Sequence, residues 1–315
     1  MVVDVKVLGI AQDGGHPHAA CRKVCCTSVQ SPADINYPVA LGITESDGTT
    51  HLIEATPNVA DQLRFVWRIH NAPTNIVEDF SRRGVDHLWV THAHMGHCDG
   101  LRQFGREVMH AKGIKLHVSL SMAELIAKTP IWNIMVEDWR NFILEPFNTS
   151  MKTGDELISE QAKQAVMGPS GELLVEPVRV PHRGELSDMH AFIFRGIERS
   201  LLFLPDHDTW KETLELYESE TIREFLKKLK VDIALIDGTF WSLEELGQSR
   251  DQREVPHPPI CKSLEMLGQR QPHDPDIYFT HLNHTNPILN NSSKEYKKLT
   301  DAGWKVATQG MVFLL

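Results

Sequence analysis

Leu88-Trp89-Val90-Thr91-His92-Ala93-His94-Met95-Gly96-His97-Cys98-Asp99-Gly100 decides how this chain is read. The apolar run 88–90 has the character of a strand, and directly after it three imidazoles fall within six positions. Histidine is the commonest metal ligand, and neighbours two and five positions apart on a strand-end loop can converge on one ion. Gly100, three residues after His97, predicts that the loop opens a helix over 98–112. Asp99 would stand in its first turn, with Leu101, Phe104, Val108 and Met109 as an apolar stripe.

Outward from this loop the chain alternates short apolar runs with longer amphipathic stretches. Strands are expected at 2–9, 38–44, 50–54, 87–91, 114–119, 172–180, 190–195, 200–204, 232–236, 276–280 and 310–315. Helices are expected at 58–70, 74–83, 98–112, 120–128, 133–143, 211–229, 258–268 and 293–302. The order predicts one domain over 1–315, built of two αβ halves as a layered α/β sandwich. With 315 residues, 41% of them hydrophobic, a substantial core needs no covalent staples.

A formal charge of −10, with both signs interspersed, argues against a nucleic-acid surface or a polybasic membrane contact. The expected partner is instead a small-molecule or peptide-derived substrate, and a homodimer is compatible with the sequence. The first residues carry no secretory pattern and no apolar run could span a bilayer, so the expected location is the cytoplasm. Five cysteines, three of them within Cys21 to Cys26, suit a reducing compartment better than a disulfide framework.

Three further segments place a ligand-type side chain just after an expected strand: His182, Asp206 and His281. Strand ends gather at one rim of an α/β layer, so these groups can meet the histidine loop. Asp208 competes with Asp206 as the carboxylate, and Glu185 and Asp188 are candidates to orient a ligand histidine or to sit on a solvated loop. Asp237, before Gly238, reads first as a turn-former and second as an acceptor for a histidine N–H. Trp132, Trp139, Trp210 and Trp241 read as core rather than as a pocket roof.

Taken together, these residues resemble the metallo-β-lactamase fold, whose signature is His-x-His-x-Asp-His followed by a distant His, a strand-end Asp and a final His. The resemblance implies an αββα sandwich, two mixed sheets flanked by helices. By it, His92, His94 and His182 hold a first metal, while His97, Asp206 and His281 belong to a second. Gly96 stands where the fold has its Asp, so the second position is expected to lack a carboxylate and to be weak or empty.

Over nearly the whole chain the sequence is also similar to the pyrroloquinoline quinone biosynthesis protein B group. The shared stretches are Gly14-Gly15-His16-Pro17 with the cysteines, Ala55-Thr56-Pro57-Asn58, Ile236-Asp237-Gly238-Thr239-Phe240-Trp241, and Phe279-Thr280-His281-Leu282-Asn283-His284-Thr285-Asn286-Pro287. The group's namesake lacks the first two motif histidines and has Asn where His284 stands, which implies a relative with room for a different activity.

His16 and His18 followed by Cys21, Cys25 and Cys26 suggest a structural zinc with three or four nitrogen and sulfur ligands. In the resembled group the middle cysteine falls at Lys23, leaving Cys25 as a shifted substitute, and one of the adjacent pair is a candidate bystander. Cys98 is expected to pack at a helix start and Cys261 in a helix core.

The leading expectation is a zinc hydrolase: an ion on His92, His94 and His182 supplies hydroxide at neutral pH, and Asp206 orients it. His281, with His284 or His97, binds a second ion or the developing oxyanion. A small ester, amide or phosphoester is the expected substrate class. The alternatives are an iron oxygenase and a metal-bearing carrier without turnover.

Overall fold

The computed structural model describes residues 2–68, 84–149, 151–245 and 255–315. Its strands are β1 (Asp4–Gly9), β2 (Ala40–Thr44), β3 (Thr50–Ile53), β4 (His87–Trp89), β5 (Ile114–Ser119), β6 (Phe142–Phe147), β7 (Val166–Met167), β8 (Leu174–Val180), β9 (Met189–Arg195), β10 (Ser200–Leu204), β11 (Ile233–Asp237), β12 (Asp276–Thr280), β13 (Lys305–Val306) and β14 (Val312–Leu314). They form two seven-stranded sheets, in the orders β14-β1-β2-β3-β4-β5-β6 and β7-β8-β9-β10-β11-β12-β13. Each sheet runs through three antiparallel pairings and then three parallel ones. The two αβ halves expected from the sequence therefore share one pairing pattern.

The sheets face each other across an apolar core. Val5, Leu41, Ile43 and Trp89 of the first sheet belong to one buried cluster with Phe192, Phe194, Leu202 and Leu235 of the second, and it continues to Phe225 and Leu226 on a covering helix. A second cluster packs the outer face of the first sheet, with Leu52, Leu88 and Leu116 against Met122, Ile126 and Met135 of the helices at Leu120–Lys128 and Pro130–Glu137. Fully buried strands read as continuous Val, Ile and Leu runs, which is why β10 and β11 were legible.

Several expected helices are corrected. The stretch 98–112 is a single α turn at Met95–Cys98 and a 3-10 run at Asp99–Phe104, stopped at Gly105, whose backbone turns extended. Gly100 lies in the first turn of that 3-10 run, and a Cβ there would meet the carbonyl groups of Ala55 and Thr56, so glycine permits close backbone approach. The expected helix 133–143 ends at Glu137, Arg140 is left-handed, and Phe142 begins β6.

The helix expected over 211–229 is two, Trp210–Leu216 and Ile222–Lys228, because the Thr221 hydroxyl accepts from the amide of Glu224 and restarts the helix. A helix at Gly154–Lys163 and the short strands β7 and β13 occupy segments where no element was expected. The expected helix 74–83 lies outside the described residues. No described helix is long and apolar enough to cross a membrane.

Candidate metal centre

The carboxyl ends of β3, β4, β8, β10, β11 and β12 meet at one rim, where each strand delivers a polar side chain immediately after its apolar run. His92, His94 and His182 bring ligand nitrogens within 4.8 Å of one another, and His92, His97 and Asp206 form a second such set. His92 Nε2 stands 2.7 Å from His94 Nδ1, and Asp206 Oδ2 is 3.1 Å from His97 Nε2. Asp206, not Asp208, enters the cluster; Asp208 Oδ1 lies 3.0 Å from His182 Nδ1 and leaves His182 Nε2 free to face inward. That is the arrangement by which a carboxylate fixes the tautomer of a metal-ligating imidazole.

Burial sets the protonation states. Desolvation, then the charge of His97, holds His92 well below the usual imidazole range, and burial with the Arg183 charge lowers His94 to about 4. Neutral imidazoles are the form that ligates metal. Burial alone would raise Asp206, but His281 and His97 hold its carboxyl well below the usual range. His182 Nε2 and His281 Nε2 are buried and have no hydrogen-bond partner among the described residues. Each such orphan costs about 1–3 kcal/mol unless something fills the site. A cation is the filler this donor set fits.

Three residues that the sequence reading passed over complete the rim. Glu54, fully buried after β3, accepts the Thr91 hydroxyl at 2.6 Å, and its Oε1 is 3.1 Å from His97 Nδ1. Thr91 in turn contacts His92 Nδ1 at 2.9 Å, so one carboxylate orients two histidines. His257, buried and flanked in sequence by prolines, lies 2.7 Å from Asp237 and 3.7 Å from Asp206. Asp237 is thus a histidine partner, the second of its two expected roles, as well as the acceptor for the Thr239 amide. Asp13 Oδ1 is 3.3 Å from His97 Nε2 and 3.6 Å from His281 Nε2. Partial burial would raise the Asp13 carboxyl, but the imidazoles of His281 and His97 beside it keep it well below the usual range.

The signal for Glu54 was present, a charged residue ending an apolar strand. The left-handed backbone of Glu54 and of His281, φ 75° and 58°, was not readable in the sequence.

His284 is the main relocation. It lies away from the histidine cluster and joins Cys21, Cys25 and Cys26, with all four ligand atoms within 4.8 Å of one another. Tetrahedral ligands on one zinc stand about 3.8 Å apart sulfur to sulfur and about 3.5 Å sulfur to nitrogen. Cys25 Sγ and Cys26 Sγ are 3.9 Å apart, and His284 Nδ1 is 3.6 and 3.4 Å from them. Both adjacent cysteines therefore fit one tetrahedral donor set with Cys21, and His284 stands at its fourth position. His16 and His18 stay outside: His16 Nε2 contacts the Cys25 carbonyl, and the His18 amide points at Cys26 Sγ.

Cys98 is buried with its thiol on the Ala93 carbonyl, and Cys261 is half-buried on the helix Ile260–Leu267. Glu185 reaches His94 Nε2 at 3.1 Å, whereas Asp188 accepts from Ser119 and Ser121. The four tryptophans pack in or against the core clusters.

This fold and rim define a metallo-β-lactamase-type protein: residues 49–282 match the family model described as Beta-lactamase superfamily domain, and the chain belongs to that family. Within it, coenzyme PQQ synthesis protein B of Acinetobacter baumannii (strain ACICU) is 24% identical over 326 residues, 98% of each chain. Zinc-bound PqqB from Methylobacterium extorquens shares the fold with a TM-score of 0.70 at 17% identity, over 99% of this chain and 100% of that one. A diphosphatase from the PhnP family does so with a TM-score of 0.63 at 16% identity, over 100% and 98%.

Proposed function

We propose that this chain is a metal-dependent hydrolase acting on a small or peptide-derived ester, amide or phosphoester in the cytoplasm. The observation that carries the reading is the pair of buried, unpartnered imidazole nitrogens, His182 Nε2 and His281 Nε2, beside His92 and His94, which burial holds neutral, and the ionised carboxylate of Asp206. His92, His94 and His182 would hold the first ion. His97 and His281 would hold a second, and Asp206 stands between the two sets. Bound zinc supplies a nucleophile from water near neutral pH and polarises a carbonyl or phosphoryl oxygen.

The chain's own groups do the remaining work. Asp206 can accept a proton or hydrogen bond at the centre, and Glu54, Asp208 and Asp237 keep His97, His182 and His257 in fixed orientations. A cavity of about 310 Å³ opens beside Asp13, lined also by His18, Lys23, Phe240, Glu245 and Asn283, and offers substrate room next to the rim. Cys21, Cys25, Cys26 and His284 would hold a structural zinc. The tetrahedral spacing of these donors supports that zinc, and the diphosphatase that shares the fold supports the hydrolase reading.

A second reading has its own observation. Asp13, His97 and His281 are two imidazoles and one carboxylate, the donor set of mononuclear iron oxygenases. Elemental analysis of protein purified without added metal, followed by a turnover screen over carboxylate esters, amides and phosphodiesters, decides between the two. Zinc with turnover that His182→Ala abolishes is expected. Iron at the histidine cluster without hydrolysis would overturn the hydrolase reading.

A further inference from the structure

We propose that Asp13 is the carboxylate ligand of the second metal position, exchanged for the side chain that Gly96 lacks. The proposal rests on the reading of the histidine rim as a metal centre.

Three observations carry it. First, Asp13 Oδ1 lies 3.3 Å from His97 Nε2 and 3.6 Å from His281 Nε2, and the three ligand atoms form a closed set. His281 Nε2 is buried and has no hydrogen-bond partner among the described residues.

Second, Asp13 and a side chain at position 96 exclude each other. A Cβ built on Gly96 would fall 2.5 Å from Cγ and 2.6 Å from Cβ of Asp13, and onto its Oδ1. The volume that a carboxylate at 96 would occupy is filled by the carboxylate of Asp13. Gly96 is in a helical turn and not at positive φ, so its glycine answers to this contact rather than to backbone conformation.

Third, Asp13 is not a wandering surface residue. The Gln12 amide donates to the Leu282 carbonyl at 2.9 Å and the Leu282 amide to the Ile10 carbonyl at 2.7 Å, so the residues next to Asp13 and His281 are laced together. Its side chain remains 42% exposed, on the open side of the rim where an ion could enter.

The expectation of a weak second position, drawn from Gly96 alone, is thereby reversed: the ligand has moved to another segment. Restoring Asp at 96 does not complete the site but collides with the group already there.

The experiment is zinc titration of the metal-free full-length protein by calorimetry, with bound-metal counts and melting curves for wild type, Asp13→Asn, Gly96→Asp and the swap Asp13→Gly with Gly96→Asp. Asn keeps the volume of Asp13, so folding is preserved while the anionic oxygen is lost. Partners one shell out from a metal already change affinity about 10–100-fold, so losing a direct ligand should weaken one ion on the order of 100-fold or more. Asp13→Asn should thus hold one ion fewer than wild type, Gly96→Asp should gain none and melt lower, and the swap should recover the ion. An Asp13→Asn protein with the wild-type ion count and affinity would overturn the assignment while the metal centre stands. A wild type with no ion at the histidines would overturn the metal-centre reading itself, and the Asp13 assignment with it.

Discussion

The histidine rim and the cysteine cluster use similar donors but are built in opposite ways. In the rim, ligand side chains stand at strand ends above a packed core, and most have a protein partner on the ring nitrogen turned away from the centre: Thr91 for His92, Glu54 for His97, Asp208 for His182, Thr239 for His281. The fold makes this site before any ion arrives. The cysteine cluster has one short turn, Val24–Thr27, and a histidine from the far end of the chain, with Cys21 and Cys25 only partly buried. Little besides the four donors joins Cys25 and Cys26 to His284. There an ion would act as a staple between two loops, and its removal should be felt as lost stability.

The sharpest way to break that contrast is at the rim. His92→Ala and His182→Ala should each remove most of the metal there and nearly all turnover, while the melting temperature of the metal-free protein shifts by only a few degrees. Full metal occupancy in both variants would show the ligand set to be misassigned. At the other cluster, Cys21→Ser should release one zinc and lower the melting temperature by roughly 5 °C or more, without changing the metal at the rim. Unchanged melting and zinc content would remove the staple.

A smaller effect tests whether the rim is prebuilt. Glu54→Gln should weaken rim metal about 10–100-fold by releasing His97 and Thr91. An unchanged binding isotherm would mean that the strand ends alone fix the histidines.

The smallest effect is acid sensitivity that both clusters leave untouched. Burial, with the His51 and Lys115 charges, lowers His87 to about 4, and burial with the charge of His87 lowers His117 to about 2. These imidazoles stay neutral in the fold while the unfolded chain takes up protons near pH 6.5. Above that pH they contribute no pH dependence. Stability of the metal-free protein should fall as pH drops from about 6.5 to about 4, the steepest loss lying in that window. Melting temperatures flat from pH 7 to 4.5 would contradict it.

How much could be read in advance follows from the same contrast. Strand ends are legible because apolar runs stop at a polar residue, and that rule placed His92, His182, Asp206 and His281 together correctly. Glu54 obeys the same rule at the end of β3, whereas Asp13 lies beyond the end of β1 and carries no motif; only the Cβ contact at Gly96 exposes it. His284 was misplaced because the chain turns at His284-Thr285, with the Asn286 amide on the Asn283 carbonyl, and sets His284 beside the cysteines. The failed helices failed locally: Gly105, Arg140 and Thr221 each interrupt a pattern whose apolar spacing continues beyond it.

Anomalous X-ray scattering from crystals of the protein purified without added metal tests the central claim most directly. The account predicts metal peaks at two separate places, one within the histidine rim bounded by His92, His94 and His182, the other between Cys21, Cys25, Cys26 and His284. A peak at the cysteines with none at the histidines would contradict it.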